Sequence, residues 1–182
     1  MEKETPRSLV GELYFWLQTI AVALTVLILL MVFVARPIRG DGHSMDPTLA
    51  DGEIMLVRSL GYTPRTGDVV VLHKDFEDVT KPIVKRVIAT GGQTVTIDYA
   101  AGTVAVDGVV LEEDYILEPM RQQGWQDITT LTVPEGSVFV MGDNRNVSND
   151  SRNPSLGAVD RRYLLGQAVA VVFPLGDIKG LL

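Results

Sequence analysis

LYFWLQTIAVALTVLILLMVFVA, residues 13–35, contains no charged side chain and lies between Glu12 and Arg36. Twenty of its 23 residues are apolar or aromatic, the exceptions being Gln18, Thr19 and Thr25. As a helix it reaches about 34 Å, enough to cross a hydrocarbon core of about 30 Å with some tilt. Tyr14, Phe15 and Trp16 at its start suit the headgroup interface, where a ring buries its body and keeps its polar tip wet. A core helix of this length would keep a polar face. A cleaved signal peptide would have a shorter apolar region ending in a small-x-small site; here bulky Phe33 stands two before Ala35. The run therefore reads as an uncleaved transmembrane anchor, with a tail at 1–12 and a domain at 36–182. Two basic residues precede it, Lys3 and Arg7, and two follow closely, Arg36 and Arg39, so the positive-inside rule leaves its orientation open.

The other 159 of the 182 residues carry all 39 charged side chains, a normal globular fraction, and suffice for a core without covalent staples. With no cysteine, the chain has no disulfide, no thiol nucleophile and no thiolate metal site. Its two histidines, His43 and His73, argue against a histidine-based zinc site, and no cofactor is expected. A net charge of −7 and a pI near 4.8 argue against nucleic acid as the main partner.

Beyond Pro37 helical periodicity gives way to short runs of Val, Ile and Thr between turn residues. Strands are expected at 53–59, 68–73, 82–89, 94–98, 103–106, 109–112, 128–133, 137–141 and 167–173. Asp107-Gly108 is a two-residue hairpin signal. Many short strands with varied connections predict a mostly β protein: one N-terminal transmembrane helix, then an antiparallel barrel or sandwich-like body.

Three segments stand out from this background. In Gly40-Asp41-Gly42-His43-Ser44-Met45-Asp46-Pro47-Thr48-Leu49, a serine in a Gly-flanked turn is either an exposed nucleophile beside free backbone N–H groups or an ordinary linker turn. In Lys81-Pro82-Ile83-Val84-Lys85-Arg86-Val87-Ile88-Ala89, strand alternation puts Lys85 on the face of Ile83 and Val87, and Arg86 on that of Val84 and Ile88. Lys85 is then either a snorkelling edge residue or a desolvated amine. The segment 141–152, from Met141 to Arg152, is either a solvated loop or a carboxylate- and hydroxyl-bearing lid over the basic pair.

Together these segments resemble type I signal peptidase, the membrane-bound serine protease that removes signal peptides from exported proteins. The resemblance spans the whole chain: the anchor, Ser44-Met45-x-Pro47-Thr48-Leu49, Gly67-Asp68-Val69-Val70-Val71, Lys85-Arg86-Val87-Ile88, and Gly142-Asp143-Asn144-Arg145 through Ser148-x-Asp150-Ser151-Arg152. It implies Ser44 as nucleophile and Lys85 as general base, with Ser148 orienting the lysine amine. It implies Asp150 pairing with both Arg86 and Arg152, and Asp143 serving a structural role in its loop.

The oxyanion donor is expected to be the backbone N–H of Ser44; where some members have a serine two residues earlier, this chain has Gly42. Met45, Leu49, Ile83 and Val84 are expected to line shallow pockets for small residues of an Ala-x-Ala site. The resemblance also implies a cytoplasmic N-terminus, an extracytoplasmic catalytic domain, secretory preproteins as substrates and membrane lipid as surroundings; oligomeric state is left open. Two other readings compete. One is a self-cleaving Ser-Lys protease of the repressor-processing kind, which predicts a DNA-binding domain where this chain has a span. The other is an anchored β-domain that binds exported proteins without catalysis.

Overall fold

The computed structural model describes residues 9–33, 35–124 and 126–181. A single α-helix, α1 (Leu9–Phe33), begins one turn before the expected span and ends two residues short of it. Val34, and residues 1–8 of the expected tail, lie outside the described residues, as does Leu182 at the far end of the expected domain. Glu12 in the first turn complements the positive end of the helix dipole. The hydroxyls of Thr19 and Thr25 donate back to the carbonyls of Phe15 and Ala21, each at 2.8 Å, so these two polar side chains ask nothing of their surroundings. From Leu9 to Met31 every side chain is exposed, and this stretch is long and apolar enough to cross a membrane.

The body is built from antiparallel strands: β1 (Arg36–Arg39), β2 (Ile54–Arg58), β3 (Val69–Leu72), β4 (Ile83–Thr90), β5 (Thr94–Asp98), β6 (Thr103–Val106), β7 (Val109–Val110), β8 (Thr130–Thr132), β9 (Ser137–Met141), β10 (Val159–Asp160), β11 (Leu164–Phe173) and β12 (Lys179–Gly180). The larger sheet has the order β1-β2-β11-β3-β4-β9-β10. Strand β11 pairs with β2 on one side, and with β3 and then β12 on the other. The smaller sheet has the order β7-β6-β5-β8. Asp107 and Gly108 make the expected hairpin turn, both at positive φ (51° and 80°), as a type I′ turn requires.

Residues 69–72 read Val-Val-Val-Leu, an unbroken apolar run, and β3 is buried on both faces. Val69 and Val71 pack with Met45, Leu49, Met55, Val57, Ala168 and Val171. Val70 and Leu72 pack on the opposite side with Phe76, Val87, Val138, Val140, Leu156 and Val159. A third cluster, including Ile88, Val95, Val104, Phe139 and Met141, joins the smaller sheet to the larger. The turn that carries Ser44 is thus nailed to the larger sheet by Met45 and Leu49, each 3% exposed.

Three strands fall outside the sequence expectation. Arg36-Pro37-Ile38-Arg39 offers one apolar side chain besides its proline, but at the edge of a sheet a proline is tolerated, and the backbone pairs fully with β2. Strands β10 and β12 are two residues each, too short to show alternation. Strand β11 starts three residues earlier than expected, because a register shift between Leu164 and Gly166 disguises its pattern.

Candidate active site

Ser44 sits in the connection between β1 and β2. Backbone bonds from Gly40 N–H to Glu53 O (2.8 Å) and from Gly52 N–H to Gly40 O (2.9 Å) prolong the β1–β2 ladder to the base of this connection. Gly42 N–H donates to Asp51 Oδ1 at 2.7 Å, which holds the backbone just before Ser44. Among the described hydrogen bonds none is donated by the amides of Ser44 or Met45, so both remain available to a ligand.

Lys85 comes from the middle of β4, opposite Val70, and is 3% exposed. Its Nζ lies 2.8 Å from Ser44 Oγ and 2.9 Å from the carbonyl oxygen of Val84. Burial pulls this amine down from its ordinary 10.5 to about 8; the Asp150 and Asp143 carboxylates pull it back up, while Arg152 adds to the depression. The two histidines lie elsewhere: His43 Nδ1 is 3.0 Å from Asp46 Oδ2, and His73 Nε2 is 3.1 Å from Thr80 O.

The segment 142–153 is drawn inside. Asp143, Asn144, Arg145, Ser148, Asp150, Ser151, Arg152 and Asn153 are all buried. Buried charges persist only when paired and hydrogen-bonded, and here they are. Asp150 Oδ1 accepts from Arg152 Nε (2.8 Å), and Oδ2 accepts from Arg152 Nη2 (2.8 Å), Ser148 Oγ (2.6 Å) and Gly142 N–H (3.0 Å). Burial alone would raise the Asp150 carboxyl, but Arg152, Ser148 and Gly142 together hold it below its ordinary value. The segment is tied to the Ser44 turn by Asn144 N–H, which donates to Ser44 O at 3.1 Å. A side chain at Gly142 would collide with Ser148 Oγ and Ser44 O, so the fit there needs a glycine.

Two expected contacts differ. Arg86 pairs with Asp143 and not with Asp150: Nε and Nη2 reach Oδ1 and Oδ2 at 2.8 and 2.6 Å. Adjacent strand residues point to opposite faces, which carries Arg86 away from Lys85 and towards Asp143 and Thr48, while Asp150 is already saturated. The Ser148 hydroxyl donates to Asp150, while the described bonds of the Lys85 amine run to Ser44 and Val84.

The larger sequence surprise is Tyr115, which lies over Arg86 with the guanidinium carbon 4.1 Å from its ring centroid. Its hydroxyl donates to Glu113 Oε1 at 3.1 Å, and Glu113 takes both ends of the Arg145 guanidinium at 2.9 and 2.6 Å. Nothing in the spacing of Glu113 or Tyr115 marks them; Thr48, whose hydroxyl donates to Asp143, at least falls inside the quoted serine segment.

Beside Ser44 and Lys85 lies a cavity of about 170 Å³ whose apolar walls include Met45, Leu49, Ile83 and Val84, all four of the expected lining residues, together with Ile38 and Pro82. Arg39, Asp41 and Lys81 also border it. A buried amine on a serine hydroxyl, unengaged amides next to that serine and a small apolar cavity at its side are the parts an acyl-transfer centre requires. Among the described residues no cluster of three or more His, Cys, Asp or Glu is placed to hold a metal ion.

The site thus has the make-up of an acyl-transfer centre, and comparison with known proteins gives the class. Residues 13–173 match the family described as signal peptidase, peptidase S26. A probable signal peptidase I-1 from Synechocystis sp. is 40% identical over 162 residues, covering 84% of this chain and 79% of the relative. A signal peptidase I from Bacillus licheniformis is 35% identical over 188 residues, covering 98% and 97%. A solved signal peptidase I from Enterococcus faecalis V583 aligns with a TM-score of 0.47 and 29% identity over 58% of this chain and 97% of that one. The chain belongs to the signal peptidase family, peptidase S26, and is a peptidase.

Proposed function

We propose that this peptidase cuts N-terminal signal peptides from exported preproteins after a small-x-small (Ala-x-Ala) site, with Ser44 as nucleophile and Lys85 as general base. The observation that carries the reading is the 2.8 Å contact between the Lys85 amine and Ser44 Oγ, made by a lysine that burial brings to about 8. At pH 7 about one such lysine in eleven is neutral, against roughly one in three thousand for an ordinary one.

The neutral amine accepts the Ser44 proton as Oγ attacks the scissile carbonyl. The developing oxyanion is met by the Ser44 amide. The ammonium then returns its proton to the departing amine of the mature protein, leaving an acyl-enzyme, and the neutral Lys85 activates the water that hydrolyses it. Arg86, Asp143, Ser148, Asp150 and Arg152 act at one remove. They hold the two faces of the site in place and leave no unpaired carboxylate beside the amine.

Met45, Leu49, Ile83 and Val84 form the apolar walls that accept alanine and turn away larger side chains. In this reading the N-terminal helix is a membrane anchor, 1–12 a cytoplasmic tail and 36–182 the extracytoplasmic domain. The eight residues between Ala35 and Ser44, β1 among them, keep the site close to the lipid where a signal peptide ends.

The test is cleavage of a purified preprotein carrying an Ala-x-Ala site by the detergent-solubilised chain, with the new N-terminus read by mass spectrometry. A cut directly after the second alanine, lost in Ser44→Ala and in Lys85→Ala, is expected. A cut that survives either substitution overturns the assignment, and no cut by folded wild type across several preproteins favours an anchored binding domain.

A further inference from the structure

Away from Ser44, the loop 59–68 between β2 and β3 and the segment 161–167 enclose two open clefts that share Tyr62 and Thr63. Four exposed arginines line them: Arg58, Arg65, Arg161 and Arg162. Arg162 is occupied by Asp160, with Nη2 to Oδ2 at 2.9 Å. Arg58 donates to a neutral partner, Gln167 Oε1, at 3.0 Å; the side chain of Arg65 has no carboxylate partner among the described interactions, and Arg161 feels the charge of Asp160 without a direct ion pair to it. Asp68, the carboxylate in the cleft lining, is already taken up by the Tyr62 hydroxyl (2.7 Å), the Arg65 N–H (2.9 Å) and the Gln167 amide (2.8 Å). Four guanidiniums set against the carboxylates of Asp68 and Asp160 still leave a local excess of positive charge in a chain of net charge −7.

Its position gives that charge a purpose. Val57, next to Arg58, pairs with Arg36, which is three residues beyond the last helical residue, Phe33. On the other side Arg58 pairs with Gln167. The clefts therefore open at the end of the sheet from which the anchor leaves, and Leu60, 68% exposed, stands in the turn beside them.

We propose that these clefts bind the headgroup phosphate of an anionic phospholipid from the bilayer surface, with Arg58, Arg65 and Arg161 as its ligands and Leu60 against the acyl boundary. Planar guanidinium forks match phosphate oxygens, and each arginine near an anionic surface adds to the attraction. The proposal rests on reading α1 as a membrane anchor.

The full chain, purified in detergent and offered phosphatidylglycerol and phosphatidylcholine, is examined by native mass spectrometry for the lipid it retains. Wild type is expected to favour phosphatidylglycerol roughly tenfold or more. Arg58→Gln/Arg65→Gln/Arg161→Gln should lose that preference while cutting a preprotein in detergent at the wild-type rate; Arg162→Gln, already ion-paired, should keep it. Equal retention of both lipids by wild type, or an undiminished preference in the triple variant, overturns the proposal. So does binding of soluble glycerol phosphate as tight as that of the lipid, which would mark a small-anion site. Extraction of wild type from vesicles by alkaline carbonate overturns the anchor itself, and the lipid site with it.

Discussion

The ring of Tyr115 covers the guanidinium of Arg86 at 4.1 Å, although the two residues belong to different layers of the protein. Arg86 is the neighbour of Lys85 in β4, whereas Tyr115 lies in the long connection between β7 and β8 of the smaller sheet. Through Glu113 the same connection grips Arg145, whose Nε donates to the carbonyl oxygen of Gly142 at 3.0 Å. The connection leaving the smaller sheet thus braces the surroundings of Lys85 and Ser44 through Arg86 and Arg145.

Tyr115→Leu is expected to reduce kcat/KM several-fold. Loss of a half-buried cation–π contact of about 1–2 kcal/mol frees Arg86 and, with it, Asp143 and Thr48. Tyr115→Phe keeps the ring over Arg86 and should stay within about twofold of wild type. Steady-state cleavage of one preprotein by the three chains decides it, and equal losses in both variants would refute the ring's role.

The rate should follow the proton on Lys85. With the amine brought to about 8 by burial, log kcat/KM is expected to rise by about one per pH unit below pH 8 and to level off above it. A profile still climbing at pH 10 would mean an ordinary, solvated lysine. The measurement is single-turnover cleavage from pH 5.5 to 10.

Lys85 also costs stability. Between about 8 and 10.5 the unfolded chain holds this proton and the folded chain does not, so stability rises with pH through that window; below it the buried ammonium costs about 3 kcal/mol. Lys85→Met removes the charge and roughly conserves the volume. It should be inactive yet melt roughly 5–10 °C higher at pH 7, with the gain shrinking by pH 10. Thermal unfolding in detergent at the two pH values tests both halves.

Asp150→Asn leaves Arg152 buried against a neutral partner and should destabilise by about 3–5 kcal/mol. In wild type the depressed carboxyl of Asp150 contributes stability that is fully present above its ordinary value of 3.8 and is lost as pH falls through its lower, folded value. The acid limb of unfolding should therefore flatten in Asp150→Asn, as followed by denaturant titration between pH 2 and 6.

Gly142→Ala drives a methyl group into Ser148 Oγ and the carbonyl oxygen of Ser44. Activity should fall by at least about tenfold, a barrier increase of only 1.4 kcal/mol, because the collision displaces the turn that carries Ser44, the proposed nucleophile. Preprotein cleavage by Gly142→Ala and Gly176→Ala, normalised to folded protein, separates this from a general glycine effect, since a methyl group at Gly176 meets open space.

Alternation and turn chemistry made most of the β body legible: the strands expected at 94–98, 103–106 and 137–141 are β5, β6 and β9 to the residue. Strand β1 was not legible, because what makes Arg36–Arg39 a strand is the presence of β2 beside it and not its own side chains. The approach of Lys85 to Ser44, and the four apolar walls of the cavity, follow the motif reading. The partner of Arg86 does not. Two acids lie seven positions apart in one loop, and only the path of the folded backbone decides which of them faces β4. Glu113 and Tyr115 carry no local signature, since a stacking ring in a connection reads like any other exposed tyrosine until its target is in place.

The order of strands in the larger sheet governs when, during folding, this protein acquires its chemistry. Ser44 belongs to the β1–β2 hairpin and Lys85 to the β3–β4 hairpin, and the two hairpins share no ladder: β11 lies between β2 and β3 and bonds to both. A chain whose hairpins form before the sheet closes thus carries Ser44 and Lys85 on two separate hairpins. Until the segment 164–173 slots into the gap, no ladder holds the hairpin of the amine beside the hairpin of the hydroxyl. The pairing of β11 with β2 joins residues as far apart as Arg58 and Gln167, 109 positions along the chain, and pairing of such long range is slow to close, so the two side chains come together late in folding.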